Sequence, residues 1–296
     1  MKLNGLLLLN KPKNITSTAC LNKIKYHFKI KKIGHGGTLD PLATGLLLVF
    51  IGQATKLSPF LMHNKKTYEG ILELGKTSPS YDLGSEVSTS GSWENIDPKL
   101  IHKEIKAWEL LTSQEVPPVS AAKYKGKPLY FHFRKGKDVP VKHKKINIFY
   151  AEVIKTELPY VHFKVSCSAG TYIRSLAHSL GKRLGCGAIL VELKRTECTP
   201  FKLENAYSLA KVLEGDLNKF VLSIPEALFD WPQIKVNDYL ARRLKNGAIL
   251  DAREVSLPPK QGQRALFLTT KNEPIAIMEC IDELNPKWKI LRGLWN

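Results

Sequence analysis

Two uninterrupted apolar stretches constrain the fold of this chain more than any other feature. Residues 5–9 are a short leucine-rich run stopped by Asn10-Lys11-Pro12, and residues 46–51 form a second run. Continuous runs of this length, bounded by turn residues, read as buried strands. Both are far below the roughly 18 apolar residues that a membrane span needs. Between them Thr16-Ser17 offers a helix cap, and Leu21, Ile24 and Phe28 recur at helical spacing, which predicts an amphipathic helix over residues 18–29. There is ample apolar material for a core around these elements. Of 296 residues 43% are hydrophobic and 24% charged, which excludes a disordered chain and suits one large domain plus a small one, or two of similar size.

Further along, residues 68–74 read as a strand, residues 84–98 as a Ser/Gly/Asn/Pro-rich surface loop, and residues 98–111 as a helix. Strand 161–167 leads into a helix with Ile173, Leu176, Ala177, Leu180 and Leu184 on one face and Gly185 at its end. A short helical turn is expected after the glycines at 34–37. Pro225 and Trp231-Pro232 mark a boundary, beyond which short strands alternate with turns. From 117 to 145 periodicity disappears.

Charge is concentrated rather than spread. Lysine and arginine number 45 against 27 acids, a net +18; residues 11–32 hold seven lysines and no acid, and residues 122–145 contribute +8. Clustered cations favour a polyanionic partner, either nucleic acid or an anionic membrane surface. Tyr124, Tyr130, Phe131 and Phe133 are set among the cations of the second cluster, offering faces on which unpaired bases can stack, which favours looped RNA. The competing reading is a solvated loop with no ligand. Five scattered cysteines without a C-x-x-C pair argue against a disulfide framework or zinc site and fit a reducing compartment. The first apolar run is too short for a signal peptide, so a soluble, cytoplasmic protein is expected.

One segment stands apart, Gly34-His35-Gly36-Gly37-Thr38-Leu39-Asp40-Pro41-Leu42-Ala43-Thr44-Gly45. Its glycines let the backbone approach a ligand closely. Asp40-Pro41 reads either as a helix cap with proline at the first helical position or as a carboxylate presented for chemistry. Arg174 sits in the first turn of its helix, where the dipole disfavours a cation; it is either a surface residue or the partner of a nearby carboxylate. Tyr68 opens a strand, where most tyrosines only pack.

These residues resemble the TruB family of tRNA pseudouridine synthases. The run from Gly34 to Gly45 is similar to the family's G-H-x-G-x-L-D-P-x-A-x-G signature. Gly5 to Pro12, Gly52-Gln53-Ala54-Thr55-Lys56, Lys66-Thr67-Tyr68, Pro117 to Lys123 with Gly126 and Leu129-Tyr130, Gly170 to Leu176, and Leu184 to Ala188 resemble its other blocks, in order, across residues 5–195. The last third matches loosely. The family's T-D-T-x-D appears here as Ser78-Pro79-Ser80-Tyr81-Asp82, with proline in place of the first acid.

The resemblance implies a mixed α/β (α+β) catalytic fold around a largely antiparallel central sheet over residues 1–228. It also implies a thumb-like RNA-binding insertion at about 117–145 and a small β-rich, PUA-like domain over residues 229–296. The implied reaction isomerises a uridine of the tRNA T loop, uridine 55, to pseudouridine, with no cofactor and no metal. Asp40 would be the catalytic carboxylate, attacking C1′ or assisting through a glycal-type intermediate, with Arg174 as its ion-pair partner. Tyr68 would stack on the flipped uracil and take up the C5 proton. His35 would fill the space left by the extruded nucleotide. Lys11, Lys56, Lys123 and the rest of the 122–145 cluster would bind phosphates, with Asp82, Tyr130, Tyr172 and Arg195 also on the RNA side of the site. Two alternatives are a non-catalytic RNA-binding or chaperone protein and a guide-RNA-dependent subunit. The insertion favours an enzyme that acts on tRNA with neither guide RNA nor protein partner.

Overall fold

A computed structural model describes residues 3–133, 135–136, 138–255, 260–282 and 284–295. Arg134 and Lys137 of the expected cationic cluster lie outside these residues. Strand Gly5–Lys11 pairs antiparallel with Thr44–Ile51 along its whole length, Leu7 opposite Val49. Strand alternation divides the two apolar runs between two cores. Leu7, Leu9, Leu47, Val49 and Ile51 face one, together with Cys20 and Ile24 of helix Ser17–His27 and Leu176 and Leu180 of helix Ile173–Leu184. Leu6, Leu8, Leu46, Leu48 and Phe50 face the other. Burial on both faces is why these strands read as unbroken hydrophobic runs.

The main sheet runs in the order Ile148–Glu157, Tyr160–Cys167, Lys66–Leu74, Ala188–Cys198, Thr44–Ile51, Gly5–Lys11 and Tyr207–Ser208. Pairing is antiparallel except beside Tyr207–Ser208 and at the joint between Ala188–Cys198 and Thr44–Ile51, where Lys194 and Arg195 lie opposite Thr44 and Gly45. Gly45 has φ +99°, and a Cβ there would sit 2.3 Å from the Arg195 carbonyl oxygen, so this joint requires glycine. The Asp40 loop enters the sheet at this point.

A second sheet, in the order Gln233–Val236, Arg264–Thr269, Pro274–Cys280, Lys287–Gly293 and Leu250–Asp251, packs with helix Asp238–Lys245, which the sequence pattern did not foretell. Leu266, Leu268, Ile277 and Leu294 from this region join the core facing Leu6 and Leu46. The two sheets share one apolar cluster.

The helix expected over 98–111 is Pro98–Lys106, capped by Asp97 on the Lys99 amide at 2.8 Å, followed by a 3₁₀ turn, Ala107–Leu110, that buries Trp108. Local order also exists where periodicity failed. His143–Lys145 pairs with Ser113–Glu115, Lys123–Tyr124 pairs with Lys127–Pro128, and helix Leu129–Phe133 follows. No helix among the described residues is long and apolar enough to cross a membrane.

Candidate active site

The parallel joint opens a cavity of about 840 Å³. Its walls come from the Asp40 loop, Tyr68 and Lys66, Arg195, residues 119–121 with Tyr130 and Lys144, and the Thr171–Arg174 entry to a helix. Among the described residues no group of His, Cys, Asp or Glu side chains is placed to hold a metal ion.

Asp40 does not cap a helix. Its carbonyl accepts the Ala43 amide at 3.0 Å, so Asp40-Pro41 opens a reverse turn, a setting that suits aspartate followed by proline. The neighbouring backbone is held on both sides. Ser17 Oγ accepts the Leu39 amide at 2.9 Å and donates to the Leu39 carbonyl at 3.0 Å. The Pro41 carbonyl accepts from the Asn14 amide at 2.8 Å and from Lys11 Nζ at 3.3 Å. Fixing both flanks leaves the carboxylate as the free part of the turn, and the Asp40 side chain is 42% exposed.

Arg174 faces that carboxylate from inside the protein. Its side chain is 6% exposed, with Nε 2.9 Å from Asp40 Oδ2 and 3.4 Å from Asp82 Oδ2. The Nε–H is aligned on neither oxygen, so both contacts are ion pairs rather than directed hydrogen bonds. One terminal nitrogen donates to the Ser80 carbonyl at 2.7 Å, and both approach the Val119 carbonyl at 3.3 Å. Asp82 is held in turn by Ser80 Oγ at 2.6 Å and the Gly84 amide at 2.8 Å. Hydroxyls of Ser78, Ser80 and Ser85 supply the hydrogen bonding of this loop, in which proline stands for the family's first acid.

Tyr68 lies on the strand between Val165 and Arg195 and is almost fully buried. Burial pushes its phenol up to about 12, an effect the adjacent Arg195 guanidinium only partly offsets. The ring is therefore a neutral phenol at physiological pH, which suits packing against a base and opposes general-base work by a phenolate.

Burial and position bear on several of the expected RNA contacts. Lys11 has no exposed surface, and its ammonium donates to the carbonyls of Pro12, Ile15 and Pro41 at 2.9, 2.8 and 3.3 Å. With its three donors satisfied internally it props the Asp40 turn and does not meet a phosphate. Arg195 is likewise buried; its guanidinium donates to the Leu46 carbonyl at 2.7 Å and the Gly37 carbonyl at 3.1 Å, tying the strand to the glycine loop. Lys56 lies away from the cavity and donates to the Trp295 carbonyl at 3.1 Å.

His35 does not line the cavity. It ends the strand that feeds the glycine loop, opposite Val49, and burial lowers its pKa so that the ring is neutral. Lys123 is exposed on the small hairpin. In the insertion, Lys127 and Lys135 cover the Phe131 ring at 4.7 and 4.6 Å, and Lys125 and Lys142 cover Tyr124 at 5.4 and 5.5 Å. Both rings thus carry cations within the insertion. Tyr130 and Tyr172 do line the cavity, and the Gln114 side chain grips the Tyr172 amide at 2.6 Å and its carbonyl at 3.0 Å.

Sequence reasoning missed Ser17, Lys66 and Gln114 as site residues, whereas Lys144 is one of the cations of residues 122–145 expected to bind phosphates. Lys66 is buried in the cavity wall and donates to the Met62 and Asn64 carbonyls at 2.6 and 3.0 Å. Lys144 reaches so closely over Gly170 that a Cβ there would meet its ammonium at 1.9 Å. Only the charge run around Lys144 and the motif containing Lys66 signalled either. Lys66, Lys144, Arg174 and Arg195 outnumber the one carboxylate on the cavity wall, which makes a cationic pocket suited to a phosphate-bearing ligand.

This fold is that of the pseudouridine synthases. A solved H/ACA RNP bound to a substrate RNA containing 2′-deoxyuridine has a chain that matches with a TM-score of 0.73 at 23% identity, over 99% of this chain and 85% of its own. A Cbf5–Nop10–Gar1 complex matches at 0.72 and 24%, over 98% and 85%. Residues 25–173 match the TruB family pseudouridylate synthase N-terminal domain, and residues 174–224 match the tRNA pseudouridylate synthase B C-terminal domain. The chain belongs to the TruB family. It is 44% identical to a tRNA pseudouridine synthase B of Oleidesulfovibrio alaskensis, over 99% of this chain and 97% of that protein. A Clostridium tetani protein of the same name is 40% identical over 83% of this chain and 85% of its own length.

Proposed function

We propose that this protein isomerises a uridine in the T loop of tRNA, by resemblance uridine 55, to pseudouridine in the cytoplasm, with Asp40 as the catalytic carboxylate. The observation that carries this reading is the asymmetry of the Asp40–Arg174 pair: a reachable carboxylate in a cationic cavity, paired at 2.9 Å with a buried cation. The counter-ion orients Asp40 without blocking it. The N1–C1′ bond breaks, the uracil turns, C5 bonds to C1′, the C5 proton leaves and N1 gains one. Atoms and electrons balance without redox chemistry. Asp40 provides the negative charge needed at the sugar centre as the base departs. Tyr68 packs on the uracil as a neutral phenol. The target nucleotide leaves its stack to reach the cavity, and His35 takes the vacated space.

The insertion supports action without guide RNA, since Tyr130 and Lys144 bring it into the cavity wall. The C-terminal sheet, read as PUA-like, adds RNA contact outside the T loop. The test is carbodiimide-probed sequencing of T-loop RNA after incubation with this protein alone. A modified uridine supports the reading. Its absence overturns it, and modification that needs an added guide ribonucleoprotein moves the protein to the guide-dependent class.

Two binding measurements follow. If about 4–8 phosphates are contacted, log K against log[salt] falls with a slope of roughly −0.7 to −0.9 per contact; a slope near zero would remove the phosphate role of the cations. Replacing residues 122–145 by a brief Gly/Ser turn is expected to leave a folded protein that binds tRNA at least tenfold more weakly. Unchanged affinity with an intact melting transition would make the segment a passive loop.

A further inference from the structure

Tyr81 occupies the variable position of the family's acidic motif, and its backbone is unusual. Its φ is +65°, a left-handed conformation that a large side chain rarely adopts. Glycine or asparagine would suit that conformation better, so something else holds tyrosine there. The ring stacks flat on His178, with centroids 3.8 Å apart and planes 9° from parallel. His178 lies four residues after Arg174 on helix Ile173–Leu184, hence on the same helix face. The loop therefore meets that face at two levels. Ser80 and Asp82 engage Arg174, through the 2.7 Å carbonyl bond and the 3.4 Å ion pair, while Tyr81 between them engages His178 one turn on. The backbone agrees: the Tyr81 amide donates to the Ser78 carbonyl and the Leu190 amide to the Tyr81 carbonyl, each at 3.0 Å.

We infer that Tyr81 is a positioning residue for the proposed isomerisation: its stack on His178 clamps residues 80–82 onto helix Ile173–Leu184 and so holds Arg174 at Asp40. The inference rests on the reading of Asp40 and Arg174 given above. Neither ring touches the cavity, so the clamp acts only through Arg174. Where proline replaces the first acid of the motif, the loop keeps its place through an aromatic contact and serine hydroxyls.

Tyr81→Gly removes the ring while relieving the positive φ, so it tests the contact without adding backbone strain. The expected result is a single-turnover rate at least tenfold below wild type, with tRNA affinity within twofold and the melting midpoint within a few degrees. His178→Ala should match it, the double variant should be no worse than either single variant, and Tyr81→Phe should restore the rate. The Arg174 Nε–H signal in a ¹⁵N correlation spectrum should shift or broaden in Tyr81→Gly and recover in Tyr81→Phe. A Tyr81→Gly rate within twofold of wild type, multiplicative losses in the double variant, or an unmoved Arg174 signal would overturn the clamp. An inactive wild-type protein would overturn the reaction instead, and the Arg174 signal would still decide the clamp.

Discussion

Asp40→Asn is expected to give a folded protein that binds tRNA with near-normal affinity and lowers turnover by at least about a thousandfold. Asparagine serves as well as aspartate at the start of a reverse turn, so the backbone held by Ser17, Asn14 and Lys11 has no reason to move. Losing the ion pair should cost about 1 kcal/mol or less, because the Asp40 carboxylate is partly solvated and Arg174 keeps Asp82. A neutral amide can neither attack C1′ nor stabilise positive charge there. The measurement is pseudouridine formed by a deamidation-free preparation, beside its melting curve and tRNA affinity. Substantial residual product would remove Asp40 from the mechanism.

Arg174→Met should fail differently. The substitution leaves Asp82 buried opposite an apolar side chain and strips the Ser80 and Val119 carbonyls of their donor. Removing one partner of a buried pair strands the other, with a cost of about 3 kcal/mol. Turnover should therefore fall together with a clear drop in denaturation midpoint. Arg174→Met combined with Asp82→Leu should regain much of the stability and none of the activity. A single variant as stable as wild type would mean that Arg174 is not the buried hub of this site.

The particulars show what kind of information was local. The Leu run at 5–9, the helix after Thr16, and the strand and helix around Gly170 follow from period, caps and turn residues, and the structure places each within two residues or so. The Gly34–Gly45 motif marked the loop that carries Asp40. Helix Asp238–Lys245 escaped because it spans eight residues and its stability depends on packing against a distant sheet. The cap reading of Asp40-Pro41, one of the two its residues offered, gives way to a reverse turn because the dipeptide is equally at home in either, and nothing within a few residues distinguishes them.

The phosphate role expected of Lys11 meets a related obstacle, its burial. Charge is a property of the residue, but reach toward a ligand depends on exposure. Sequence by itself determined the strands, the cationic runs, the carboxylate and its motif, and the family to which they belong, because these depend on residue type and short spacing. Only the tertiary structure decided which cations point into the cavity and which are consumed beneath it. Lys11 meets Pro41 thirty residues away, and Arg195 meets Leu46 across 149 positions. Burial at such separations, with the parallel joint at Gly45, makes Lys11 a support of the Asp40 turn and fixes Arg195 in the cavity wall against the glycine loop.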